Sequence, residues 1–343
     1  MPIPVSILDV SPVVSGAGSA QALRNSVDLA RFADARGYTR YWFAEHHNSG
    51  GIASTTPEIL IAQIAHETEH LRVGSGGVML PNHSPLKVAE SFRLLEALYP
   101  DRIDLGIGRA PGTDGMTALA LRRSQEALNA EDFPQQLGEL LAFANGTFPA
   151  DHPFRTVTAY PNDVPLPPIW LLGSSGFSTQ LASMLGLGFA FAHHINGAAA
   201  VPAMTSYRQH FTPSDEFPEP HAILAVSVIL ADSDAEANDL ALSVQFAFLN
   251  LAQGRTGPML SPQEVQAYPL GAFERQQMAA IGDRHFVGSP ATVREKLLPL
   301  IEATQADELM VLTMVHDHAA RVHSYDLLAQ LFALEPMTAG IAR

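Results

Sequence analysis

The sequence predicts an α/β fold, a (β/α)8 TIM barrel with loop insertions, as one domain over residues 1–343. Short β-branched or apolar runs alternate with amphipathic stretches that end in glycine, the rhythm of helices packed around a parallel sheet. The alternation repeats eight times, the number of parallel strands that closes a barrel. The 343 residues give each unit about 43, against roughly 30 in a minimal strand–helix–strand unit, so the surplus belongs in loops.

The first strand is expected at Val5 to Asp9 and its helix at Ala20 to Arg36, with Gly37 as the C-terminal stop. Tyr41 to Glu45 follows, then a helix from Pro57 to Glu69, where proline suits the first turn. The third strand, Leu71 to Leu80, leads to a helix at Leu86 to Leu98, and the fourth, Arg102 to Gly108, to a helix near Pro134 to Asn145. The fifth is Ile169 to Leu172 with a helix at Ser178 to Leu185, and the sixth is Phe189 to Ala192 with a helix at Val201 to Phe211. Ala222 to Ala231 precedes a helix at Asp234 to Leu251, and Glu308 to Met314 precedes one at Arg321 to Leu334. Insertions are expected at 110–133, 146–168 and 253–284, the first of them flexible enough over 110–124 to serve as a lid.

Composition narrows the function. The net charge of -15 repels nucleic acid and anionic membrane surfaces. No run approaches the ~20 apolar residues of a membrane span, and the start lacks an export segment. Zero cysteines exclude disulfides, thiolate metal sites and cysteine nucleophiles. A soluble cytoplasmic protein is expected.

In a barrel the chemistry sits where strands end. Glu45, His46 and His47 follow the second strand, Arg109 the fourth, Gly173 to Ser178 the fifth, His193 and His194 the sixth, and His316 and His318 the eighth. Ser174, Ser175, Gly176 and Ser178 offer hydroxyls and unhindered amides at a helix N-terminus, an anion cradle, against the plainer reading of ordinary helix capping. Arg109 can clamp the same phosphate in a bidentate way, or else form an ion pair with Glu90 or Asp104. His46 and His47 point to opposite faces, so at most one enters the barrel mouth. Gly106 and Gly108 do not make a dinucleotide fingerprint, because Pro111 stands where a third glycine is required.

Four segments together, Trp42 to His47, Leu71 to His83, Arg102 to Gly112 and Ile169 to Ser178, resemble the bacterial luciferase-like flavin monooxygenases, in particular their small FMN-dependent subgroup. The resemblance implies a (β/α)8 barrel with insertions that uses reduced FMN from a separate, transiently bound flavin reductase. In some branches the deazaflavin F420 replaces FMN. It implies that His46 lies beside the flavin and assists proton transfer. It further implies that Arg109 holds the phosphate with Ser174, Ser175, Gly176 and Ser178, and that Gly76-Gly77 is a cis peptide under the flavin ring. Glu90 and His193 match further positions near the site. Ser174 stands where luciferase has an acidic residue, and Gly108 where it has a reactive cysteine, so light emission is not implied. The expected partners are a small-molecule substrate, O2 and a second copy in a homodimer built on the helices at 54–65 and 86–98. No metal is expected. The competing readings are an F420-dependent oxidoreductase, a non-catalytic flavin-binding protein, and a metal-dependent barrel hydrolase using His46, His193, His316 and His318.

Overall fold

The computed structural model describes residues 3–129 and 131–336. Ala130 of the first insertion and the two ends of the expected 1–343 domain lie outside the described residues. Ten strands appear: β1 (Val5–Asp9), β2 (Arg40–Phe43), β3 (Arg72–Ser75), β4 (Val78–Met79), β5 (Ile103–Gly108), β6 (Ile169–Gly173), β7 (Gly188–Ala192), β8 (Ala222–Leu230), β9 (Phe286–Gly288) and β10 (Glu308–Leu312). All pairings between them are parallel, in the order β10-β1-β2-β3-β5-β6-β7-β8, and β10 pairs back onto β8. The chain is therefore a closed eight-stranded parallel barrel, with β4 continuing β3 alongside β5 and β9 flanking the far end of β8.

Helices α1 (Ser19–Ala35), α2 (Pro57–Glu67), α3 (Pro85–Leu98), α4 (Gly115–Arg122), α5 (Gln125–Asn129), α6 (Phe133–Asn145), α7 (Gly176–Leu185) and α8 (Ala200–Gln209) fill the first part of the chain. They are followed by α9 (Asp234–Ala252), α10 (Pro262–Ala267), α11 (Ala272–Gly282), α12 (Pro290–Thr304) and α13 (His318–Leu331). Outward residues such as Ile7, Tyr41, Val73 and Leu105 are fully buried beneath them. Gly37 has φ +83° just past α1, and an added Cβ would meet the Glu335 carbonyl, so only glycine fits the stop. No helix of the described residues is long and apolar enough to cross a membrane.

Three expectations need correction. The strand expected at 71–80 is split into β3 and β4 at Gly76-Gly77, whose peptide is cis. The 110–124 segment is not a plain loop. It carries α4, whose N-cap Asp114 accepts from the Met116 and Thr117 amides, while Asn48 donates to Asp114 and Thr113 to the His47 carbonyl. A further strand and helix, β9 and α12, lie between the last two expected units. Pro299 inside α12 interrupts its helical signal, and three residues are too few for β9 to register as a periodic run.

Inside the barrel, register keeps side chains of one parity facing inward. Leu8, Trp42, Gly74 and Asp104 are successive cross-strand partners, as are Gly106, Trp170 and Gly188. The strand-start end is plugged by ion pairs. Arg40 bonds Asp104 at 2.8 Å and Glu308 at 3.0 Å, Arg72 bonds Asp104 at 2.7 Å, and Arg40 lies 4.8 Å from the Trp170 ring centre. Burial alone would raise the pKa of both carboxyls, but Arg40, joined at Asp104 by Arg72, holds them below their usual values. With that end closed, the open chemistry is at the strand ends.

Candidate active site

At the end of β2, Glu45 is fully buried and anchors the surrounding loops. It accepts from the Met79 amide at 2.8 Å, and its oxygens lie 2.8 Å from His47 Nε2 and 2.9 Å from His83 Nε2. Its own amide reaches the Gly77 carbonyl, and Asn82 spans from Glu45 to the Pro111 carbonyl. Burial would raise the Glu45 pKa, yet the bond from His83, that charge and the Met79 amide together lower it. Burial opposes a charged His83, and Glu45 outweighs it, so the His83 pKa is raised. Sequence reading noted Glu45 at a strand end but gave neither it nor His83 a role, since a carboxylate with imidazoles 2 and 38 positions away has no local motif.

The parity of Arg40, Trp42 and Ala44 carries on to His46, which is the lumen-facing member of its pair, while His47 turns to Glu45. His46 is half-buried, its Nδ1 is enclosed without a hydrogen-bond partner, and burial lowers its pKa despite the nearby Ala44 carbonyl. On the opposite wall His193 packs 5.6 Å from the Phe286 ring, with Nδ1 also enclosed and unpartnered. His194 Nδ1 is 3.2 Å from the Ala225 carbonyl, and burial brings its pKa down to about 4. His285 lies 2.7 Å from Ser227 Oγ, and burial likewise takes it to about 4. Near neutral pH these groups are neutral imidazoles able to donate or accept a proton.

Just past the end of β5, the exposed Arg109 guanidinium stacks 4.4 Å from the centre of the Phe177 ring. Among the described residues Arg109 has no ion pair, and Asp104 is taken by Arg40 and Arg72, so the structural pairing weighed above does not occur. Phe177 opens α7, between Gly176 and Ser178. Ser175 occupies the N-cap with no side-chain capping bond, which removes the plainer capping reading. The Asn196 side chain bonds the Ser174 carbonyl, an added Cβ at Gly176 would meet nothing within 4 Å, and Ser178 is buried against Gly173. Arg109 and the serine turn thus share one corner of the rim. Phe177 was missed, although an aromatic between Gly176 and Ser178 was visible.

Gly76 and Gly77 form the floor near β2 and β5: a Cβ at Gly76 would approach Leu8 to 2.7 Å, and one at Gly77 the Gly106 carbonyl to 2.6 Å. Glu90 is not brought into the cluster by any bond; it sits half-buried on α3 with no hydrogen bond or ion pair among the described residues. His316 turns to Ser15 and His318 to Asp28 at 2.8 Å, so the four-histidine metal constellation is not assembled. No group of three or more ligating side chains among the described residues is arranged to hold a metal.

The family model for luciferase-like monooxygenases matches residues 1–307. A luciferase-like monooxygenase of Escherichia coli is 44% identical over 95% of this chain and 96% of its own. The N-acetyl-S-alkylcysteine monooxygenase of Bacillus subtilis is 35% identical over 95% of this chain and 97% of its own. Among solved structures, apo-MsnO8 superposes with a TM-score of 0.88 at 40% identity, covering 98% of this chain and 99% of that one. More distant structures share the fold alone: an FMN complex of a diketocamphane monooxygenase from Pseudomonas putida (TM-score 0.68, 18% identity, 99% and 100% covered) and an F420-dependent secondary alcohol dehydrogenase (0.67, 12%, 96% and 98%). The matched span, the identities and the closed parallel barrel agree: this chain belongs to the luciferase-like monooxygenase family.

Proposed function

We propose that this chain uses reduced FMN and O2 to oxygenate a small organic substrate. The observation that carries the reading is the Arg109–Phe177 stack beside the uncapped Ser174 to Ser178 turn. An unpaired guanidinium, free hydroxyls and open backbone amides converge there, the donor set a phosphate takes. Gly176, bare on its outer side, leaves room for it. Reduced flavin, when bound, supplies the electrons that activate O2.

The chain's own residues do the rest. Arg109, Ser174, Ser175, Gly176 and Ser178 hold the phosphate. Gly76 and Gly77 give a flat wall without side chains, and Leu8, Trp42 and Trp170 close the lumen beneath and keep water out. His46, neutral and with a free ring nitrogen, holds or moves a proton at the lumen. Glu90 and His193 border the site. A single guanidinium with a -15 net charge suits a compact FMN phosphate better than the long anionic tail of F420.

Titrating FMN and F420 separately against the apoprotein tests the cofactor, with saturable FMN binding as the expected result. Adding reduced FMN and O2 then tests the reaction, with oxygen uptake that rises with substrate. Given the name of the Bacillus subtilis relative, small thioethers are the first substrates to try. Tight FMN binding without turnover by any reductant would instead mark a flavin carrier.

The reading includes a single cytoplasmic domain, a flavin reductase that delivers FMN transiently, and a homodimer. Ile59 of α2 and Leu94 and Leu98 of α3 are 68%, 50% and 67% exposed, an apolar face suited to a second copy. Sedimentation of wild type and of Leu98→Glu checks the dimer.

A further inference from the structure

We propose that Met79 is a modification site: when no substrate fills the lumen, the chain's own flavin reaction converts its thioether to the sulfoxide. The inference rests on the flavin reading above and adds to it a chemical fate of the protein itself.

The register of β4 aims Met79 at the barrel mouth. Val78 and Met79 pair in parallel with Ile107 and Gly108, so each pair shares one face of the sheet. Val78 and Ile107 are fully buried in the core beneath the helices, whereas Gly108 has the inward parity of Asp104 and Gly106. Met79 therefore faces the lumen together with Gly108. It stands two residues past Gly77, the wall without side chains, and opposite the residue that precedes Arg109. A ligand that reaches from Arg109 to Gly77 passes beside this side chain.

The thioether is also held there. The Met79 amide donates to Glu45 Oε2 at 2.8 Å, which fixes the backbone. A Cβ placed on Gly108 would lie 2.8 Å from the Met79 sulfur and 3.1 Å from its methyl, and one on Gly112 would lie 3.2 Å from Cγ. The sulfur thus takes the volume that a side chain at position 108 would need. Met79 is half-buried, which sets it apart from the other described methionines. Met116 and Met184 are 75% and 69% exposed and face solvent, and the rest are buried.

The step balances with what the flavin reading supplies. A thioether sulfur accepts an oxygen atom through its lone pair and loses no proton. The O–O bond of O2 breaks, one atom forms the S–O bond, and the other leaves as water with the two hydrogens of reduced FMN. O2 takes up four electrons, two from the flavin and two from sulfur, so no further reagent enters.

The exposed pair serves as the internal control. Wild type receives repeated additions of chemically reduced FMN in oxygenated buffer, without substrate and with catalase to remove free peroxide, and peptide masses are read over time. The proposal predicts the gain of one oxygen atom on Met79 at least tenfold faster than on Met116 or Met184. Hydrogen peroxide added without flavin should reverse that order, because the exposed sulfurs meet it first. Met79→Leu keeps the shape without the sulfur, so it should bind FMN within twofold of wild type and show no oxygenated peptide at this position. Saturable FMN binding with Met79 oxidised no faster than the exposed pair overturns this inference alone, and so does peroxide by itself attacking Met79 first. Absence of FMN binding in wild type removes the flavin reading and this proposal with it.

Discussion

The Arg109 guanidinium rests 4.4 Å from the Phe177 ring centre, so a cation with no ion pair among the described residues is held at the mouth of the serine turn by an aromatic from that same turn. The stack fixes a long flexible side chain before any ligand arrives, and it is worth about 0.5–1 kcal/mol at an exposed site. Arg109→Ala should weaken FMN binding at least tenfold, about 1.4 kcal/mol. Phe177→Ala should weaken it about threefold through lost preorganisation. Fluorescence titration of FMN checks both, and unchanged affinity in Arg109→Ala sinks the phosphate assignment.

Glu45 joins four parts of the rim: β2, β4, the turn at Asn82 and His83, and through Asn82 the loop after β5. Glu45→Ala strands the Met79 amide and two imidazoles. A loss of about 2–3 kcal/mol in stability is expected, because each buried unpaired group costs about 1–3 kcal/mol. Urea unfolding gives the stability, and FMN titration should show an additional loss of affinity, because Gly77 and Gly112 both contact Glu45 backbone atoms. Wild-type stability in this variant would remove Glu45 from its central place.

The barrel was legible in the sequence because strand and helix periods differ and the buried runs are long, as at Ala222 to Leu230. The meeting of Arg109 with the serine turn was legible too, since Gly173 to Ser178 is contiguous and Arg109 ends a strand. The Glu45 hub and the His285–Ser227 contact were not, because their partners meet only once the barrel closes. Gly76 and Gly77 look like strand interior in the apolar pattern alone; the cis peptide between them, expected from the family resemblance, is present and breaks the strand into β3 and β4. Glu90, placed near the site by family likeness, shows the converse: on α3 it bonds to none of the other residues.

The ionic plug at the other end makes a separate prediction. Arg40 is the shared partner of Asp104 and Glu308, and both carboxylates are essentially inaccessible to water. Arg40→Met leaves Glu308 without its guanidinium, and removing one member of a buried pair costs about 3–5 kcal/mol. The melting temperature should fall while FMN affinity in the folded fraction stays unchanged, since Arg40 is at the strand-start end. A larger change in affinity than in stability would contradict the division between the two ends.

The histidines set the pH limb of stability. His194 and His285 titrate near 4 in the fold against 6.5 when exposed, so below about pH 6.5 the unfolded chain takes up protons that the folded chain refuses. Stability therefore falls with pH between about 6.5 and 4.5, by up to about 1.4 kcal/mol per pH unit for each group. The lowered carboxyls of Glu45, Asp104 and Glu308 keep their contribution until the pH drops below about 4.5, so the intermediate window belongs to the imidazoles. His83 has the opposite sign: its pKa is raised, so its bond to Glu45 contributes fully below about 6.5 and is lost as the pH rises through that raised value. Urea midpoints at pH 8, 6.5 and 4.5 should peak near 6.5. The acid limb should flatten in His194→Gln and His285→Gln, and the alkaline limb in His83→Gln. An acid limb of equal slope in wild type, His194→Gln and His285→Gln would show that these imidazoles are not neutral in the folded barrel.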